Sequence, residues 1–153
     1  MIERIDHVNI VVADLEMMTA FYRDVLCLKV TKEVRIHGEW IDEVVGLTDV
    51  EADVVYLDLA DGPRIELIQY RSPVGGRPAG IEISNSIGLR HMAFKVDAID
   101  ELVAKLRLSG VKFFSEVRTV PTAQVQYAGG VKKRLVYFRD PEGNLLEFCE
   151  YKK

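Results

Sequence analysis

A chain that states one pattern twice has few folds open to it. The stretch from Gly88 to Ala104, GLRHMAFKVDAIDELVA, reads as a short strand carrying a histidine, then a turn, then a helix from near Ala98. The residues from Ile5 to Leu15, IDHVNIVVADL, run the same way. His7 and His91 lie 84 positions apart, and at that offset Leu15 matches Ile99, Met18 matches Leu102 and Tyr22 matches Leu106. One supersecondary unit is used twice.

The rest of the chain can be placed around the two histidines. In 3–12, Ile5, His7, Asn9 and Val11 alternate with Val8, Ile10 and Val12, which is strand periodicity. Asp14 is an N-cap, and Leu15, Met18, Tyr22 and Val25 follow at helical spacing, the helix ending near Cys27. A strand is expected over 28–34, then a loop over 35–50 with one helical turn near Asp42 to Val45. Strands 54–59 and 64–70 flank the turn Asp61-Gly62-Pro63 and make a hairpin. The second half repeats this order: strand 89–96, helix 98–109 closed by Gly110, strand 111–115, a long loop over 116–130 with an extended stretch near Gln124 to Tyr127, then strands 131–139 and 145–151 around Asp140-Pro141-Glu142-Gly143-Asn144. Each half therefore reads βαβββ. The expected division is a first module over 1–70, a linker over 71–87 rich in proline and glycine, and a second module over 88–153.

Composition excludes several classes. At 153 residues the chain can bury roughly 70% of its unfolded surface without a staple. The net charge is −4, and Lys132-Lys133-Arg134, read as the solvated start of a strand, is its one basic block, so no nucleic-acid partner is expected. No apolar run approaches the ~20 residues of a membrane span, and Met1-Ile2-Glu3-Arg4 does not open a signal peptide. Cys27 and Cys149 lack metal-type spacing and read as free thiols of a reducing compartment, so a cytoplasmic location is expected.

The two hairpins also match, which makes Glu66 and Glu147, 81 positions apart, equivalent. Each stands between apolar neighbours, Ile65 and Leu67 or Leu146 and Phe148, where a carboxylate is costly unless it is paired or bound to metal. Singly, each histidine also reads as a core residue bonded to a carbonyl, and each glutamate as the partner of Arg64, Arg90 or Arg139. As a set, His7, Glu66, His91 and Glu147 read as ligands of one divalent first-row metal: Ni, Zn, Co, Mn or Fe. Four protein ligands of six leave two positions for water or substrate, the arrangement of a catalytic site.

The chain resembles the vicinal oxygen chelate superfamily, which includes glyoxalase I, methylmalonyl-CoA epimerase, extradiol dioxygenases, and fosfomycin and bleomycin resistance proteins. The resemblance rests on IDHVNIVV followed by Leu15 and FYRDVL, on Ile65-Glu66-Leu67, on RHMAFKV from Arg90, and on DPEGNLLEF from Asp140, and it covers nearly the whole chain. It implies an α+β fold in which two βαβββ modules form a cup-shaped, partly open mixed β-barrel around a metal. It places the metal positions on His7, Glu66, His91 and Glu147, and it implies a homodimer acting on a small molecule. A glutamate at 66 fits the glyoxalase I type. Methylmalonyl-CoA epimerases carry a similar set but tend to lack this last turn. The expected activity is that of a metal-dependent lyase or isomerase: proton transfer next to a carbonyl through a metal-bound enediolate, in the manner of lactoylglutathione lyase or methylmalonyl-CoA epimerase. Glu147 is the first choice of base and Glu66 the second. The competing readings are an extradiol-type ring-cleaving dioxygenase, a non-catalytic antibiotic-binding protein and a structural metal site.

Other residues carry weaker signals. Trp40, Arg118 and Tyr127 are candidates for substrate contact, with Gln124 and Gln126 beside them; a dimer anchor or a solvated polar loop is the plainer reading. His37, Glu39 and Glu43 share the loop of Trp40, and the two glutamates could supply a second base. Cys149 faces the same side as Glu147 and reads as a small space-filling thiol.

Overall fold

The computed structural model describes residues 1–153, which divide into two compact units, Met1–Arg77 and Pro78–Lys153. Each unit is one four-stranded mixed sheet with a helix after its first strand, the first unit adding a second short helix, so the fold is α+β and built from two βαβββ modules.

The first module holds β1 (His7–Val11), α1 (Leu15–Ala20), β2 (Lys29–His37), α2 (Glu39–Val45), β3 (Glu51–Asp58) and β4 (Arg64–Ser72). Its strand order is β1-β4-β3-β2, with β1 parallel to β4 and the other pairs antiparallel. Asp14 caps α1 by accepting from the Met17 amide at 2.9 Å. The helix then widens into a π-helical turn, Phe21–Val25, which buries Phe21 and Tyr22. Cross-strand register separates the two faces of the sheet. Ala52, Val54 and Ile68 cluster on one, joined by Val34, Ile36, Tyr56 and Tyr70. Val55, Leu57, Ile65 and Leu67 alternate onto the other, and α1 packs on β3 and β4.

The second module holds β5 (His91–Lys95), α3 (Ile99–Leu108), β6 (Arg118–Thr119), β7 (Lys132–Arg139) and β8 (Leu145–Lys152). Its order, β5-β8-β7-β6, repeats the first, again with one parallel pair, β5 and β8. Ile99, Val103 and Leu106 are the buried stripe of α3, and Phe94, Val136, Phe138, Leu146 and Phe148 are buried in the sheet. The rings of Phe138 and Phe148 lie 4.4 Å apart, and Phe113 adds its ring 5.2 Å from Phe138. Gly110 ends α3 at φ +84°, a conformation that disfavours side chains, with the Gly110 and Val111 amides returned to Arg107 and Leu106.

Four local expectations need correction. Residues 111–115 are not a strand: Phe113 makes a single bridge to Phe138 and turns its ring inward, and the Arg107–Glu116 ion pair ties the segment back to α3. The paired strand here is the two-residue β6. The stretch near Gln124 turns rather than extends, because the Gln124 and Val125 amides both bond to the Pro121 carbonyl. His37 belongs to β2, not to a loop, since pairing continues through Arg35↔Asp53 to His37↔Glu51. Finally, Lys132-Lys133-Arg134 is not simply solvated. The Lys133 and Arg134 side chains are only 18% and 24% exposed, and both are ion-paired.

Candidate metal centre

Both histidines and both glutamates come from the one parallel strand pair of each module. Asn9 is the register partner of Glu66, and Ala93 is the partner of Glu147. The histidine stands two residues before that partner in each case, so it projects on the same face as the glutamate. His7 Nε2 lies 3.5 Å from Glu66 Oε2, and His91 Nε2 lies 3.2 Å from Glu147 Oε2. A metal about 2.1 Å from each of two cis ligands holds them ~3 Å apart, so both pairs have the donor atoms and the spacing of a chelating half-site. The structure brings no three His, Cys, Asp or Glu side chains together around one point; it brings the four residues together only as two His–Glu pairs.

The glutamates are not paired with arginine. Arg64 bonds to Asp6, Arg90 to the Gly80 carbonyl and Arg139 to the Glu82 carbonyl. Each carboxylate is instead held by a different kind of donor on its other oxygen. The Asn9 amide donates to Glu66 Oε1 at 3.2 Å. The Lys133 ammonium lies 2.8 Å from Glu147 Oε1. At the repeat-related positions stand Ala93 and Ala52, so each module lacks the other's device. Both arrangements leave Oε2 facing the imidazole.

The histidines are set differently as well. His7 Nδ1 is 3.0 Å from Asp6 Oδ2. The His7 hydrogen bond, then the nearby Arg64 guanidinium, hold the Asp6 carboxyl below its ordinary range, so Asp6 is an anion at neutral pH. An anionic carboxylate only accepts, which makes Nδ1 the donor and leaves the Nε2 lone pair toward Glu66 and any cation there. Arg90 stands before His91 and cannot do this. The Tyr137 hydroxyl lies 3.3 Å from Nδ1 and 3.4 Å from Nε2 of His91, with the rings tilted by 48°. It is almost equally far from both nitrogens and selects neither.

Tyr137 has a counterpart. Tyr56 faces Glu66 in register, as Tyr137 faces Glu147, again 81 positions apart. Burial first, and the adjacent carboxylate second, push both phenols above their usual range. Burial opposes the Lys133 charge, but the hydrogen bond and charge of Glu147 outweigh it and raise Lys133 overall. Sequence reasoning missed both tyrosines, Lys133, Asn9 and Asp6. The tyrosines share the offset of the glutamates and could have been found by it; Lys133 and Asn9 break the repeat and could not.

The remaining candidates come from other elements. Trp40 is exposed on α2, with Glu39 and Glu43 on the same short helix. Arg118 is in β6, and Tyr127 packs edge-on against Tyr151 at 5.5 Å. Burial, ahead of the neighbouring charges, raises the Cys149 thiol, which fits an inert space-filling group. Cys27 is exposed. No helix is long and apolar enough to cross a membrane.

The chain is similar to known proteins. A glyoxalase family protein from Bacillus cereus aligns over all of this chain and 97% of its own, with a TM-score of 0.83 and 29% identity. "Uncharacterized protein YaeR" of Escherichia coli (strain K12) is 33% identical over 149 residues, 97% of each chain. The mitochondrial methylmalonyl-CoA epimerase of Mus musculus is 29% identical over 74% of this chain and 57% of its own length. The profile of the Glyoxalase/Bleomycin resistance protein/Dioxygenase superfamily matches residues 4–148. A match across nearly the full length, with the two-module fold behind it, means that this chain belongs to that superfamily.

Proposed function

We propose that this protein is a metal-dependent isomerase or lyase of the glyoxalase type, moving a proton next to a carbonyl of a small-molecule substrate. The observation that carries the reading is the repeated His–Glu pair, with matched donor atoms in both modules. His7, Glu66, His91 and Glu147 are the proposed ligands of one divalent ion: Ni, Zn, Co, Mn or Fe. The same set applies whether the modules that share an ion belong to one chain or to two copies in a homodimer. Similarity to a methylmalonyl-CoA epimerase favours isomerisation over oxygen chemistry.

When bound, the ion supplies a Lewis acid that draws electron density from a substrate carbonyl, so the adjacent C–H loses its proton more readily. The chain supplies the rest. Asp6 fixes His7 in the tautomer that offers Nε2, and Asn9 keeps one oxygen of Glu66 occupied. Glu147 takes the proton on Oε2, the oxygen it would release from the ion, and returns it to the neighbouring carbon or to the other face of the same carbon. Its 3% exposure keeps water from competing for that proton. Glu66, more exposed at 14%, is the second candidate for the base. Trp40, Arg118 and Tyr127 are proposed to contact the substrate.

The test is solvent deuterium exchange at the α-carbon of hydroxy-ketone, hemithioacetal and 2-acyl-thioester substrates, without oxygen and with Ni, Co, Mn or Zn added. Exchange is expected in the wild type and lost in Glu147→Gln. Exchange that survives in both Glu147→Gln and Glu66→Gln removes both from the role of base. Turnover of a catechol only with oxygen and Fe(II) or Mn(II) replaces the isomerase with a ring-cleaving dioxygenase.

A further inference from the structure

The two half-sites differ in what holds the glutamate, and the difference is one of charge. Glu66 is held by a neutral amide and Glu147 by a cation. Glu147 is 3% exposed, and a carboxylate so buried is costly without a positive partner. Lys133 is that partner. It reaches Glu147 from β7 on the face shared with Leu135 and Tyr137, with the ammonium 6.0 Å from the Tyr151 ring. A divalent ion at Glu147 Oε2 and His91 Nε2 would have the ammonium on the other oxygen of the same carboxylate.

We propose that Lys133 is a built-in cation that stands in for the metal at Glu147 and competes with it. The inference rests on the metal-site reading above and adds a residue which that reading does not use. In the metal-free protein the ammonium neutralises Glu147, so the second module keeps its buried carboxylate without an ion. With an ion bound, the same ammonium would stay on Oε1 and leave Oε2 as the oxygen open to the ion. It also repels the incoming dication. Lys133 therefore weakens binding at the second half-site, which keeps Glu147 the more easily released ligand of the four and frees it to carry a proton. It acts through Glu147 and is a positioning residue.

The experiment is a Mn(II) titration of purified full-length protein, following the electron paramagnetic resonance signal of free Mn(II), together with melting of the metal-free form. Lys133→Met keeps the length of the stem and removes the charge. It is expected to bind Mn(II) about tenfold more tightly than wild type while its metal-free form melts several degrees lower. Lys133→Arg keeps a cation and is expected to bind Mn(II) like wild type. The double variant Lys133→Met/Glu147→Gln removes both charges and is expected to recover the metal-free melting temperature of wild type. If Lys133→Met does not fold, Lys133→Gln makes the same comparison, and it too is expected to bind more tightly. Equal or weaker Mn(II) binding by the neutral variants overturns the competing-cation role and leaves the metal site standing. A wild type that takes up no Mn(II) overturns the metal site itself, and the lysine's role with it.

Discussion

Gln69 and Glu150 do the same work in the two modules, with opposite electrostatic means. They lie 81 positions apart, and each turns its side chain onto the first amide of its module's helix. Gln69 Oε1 accepts from the Leu15 amide at 3.2 Å, and Glu150 Oε1 from the Ile99 amide at 3.2 Å. Leu15 and Ile99 are themselves equivalent by the offset of the histidines. The helix N-terminus carries unpaired amides and partial positive charge, so either acceptor serves. The first module adds Asp14 as a helix cap; the second has Ala98 there, which has no side-chain acceptor, and a full carboxylate in its place.

Glu150 should make the second module acid-sensitive. Burial raises its pKa, but the Ile99 amide, Lys152 and Arg134 outweigh burial, and the net shift is downward. A carboxyl whose folded pKa is depressed stabilises the protein above the unfolded value of ~4.3 and loses that contribution as pH falls through the folded one. Glu150→Gln keeps an acceptor for Ile99 but gives up the charge. It should cost about 1–2 kcal/mol near pH 7. The gap between variant and wild type should close as pH drops below about 4. Chemical denaturation at pH 7 and pH 3 measures both; a gap that stays constant with pH contradicts this role.

Asp6 should matter to metal binding and little to folding. It orders the His7 tautomer from an exposed position. Asp6→Asn is expected to weaken Mn(II) binding by about 10- to 100-fold, the usual effect of losing such a partner. Its melting temperature should stay close to that of wild type. Unchanged affinity in the Mn(II) titration would show that His7 does not need the carboxylate.

Phe138 should be the costliest single truncation in the second module. It is fully buried and stacks with Phe113 and Phe148. Phe138→Ala should destabilise the protein by about 3–5 kcal/mol. The same change at Phe114, which is 46% exposed, should cost far less. Denaturant midpoints for the two variants provide the comparison, and similar losses would contradict the packing described for this core.

Much of this arrangement could be read from the chain because a repeat constrains pairs of residues at once. The offset between His7 and His91 located both first strands, and that between Glu66 and Glu147 located both closing hairpins. The residues that break the repeat were hidden. Lys133 looked solvated beside Lys132 and Arg134, because its neighbours in sequence say nothing of the carboxylate on the next strand. Asn9 meets Glu66 across 57 residues, through a parallel pairing that no local pattern specifies. The strand expected over 111–115 failed because an apolar run containing Phe113 and Phe114 serves equally as a strand or as a segment that drops one ring into a core.

Metal stoichiometry in the wild type and in four single variants tests the account most directly. Protein purified without chelator, reconstituted with Mn(II) or Ni(II) and desalted, is assayed by inductively coupled plasma mass spectrometry beside His7→Ala, Glu66→Ala, His91→Ala and Glu147→Ala. The account predicts one ion per site in the wild type and a marked loss in every variant, in both modules alike. Uptake that depends on only one module's pair, or a wild type that retains no metal, would contradict it.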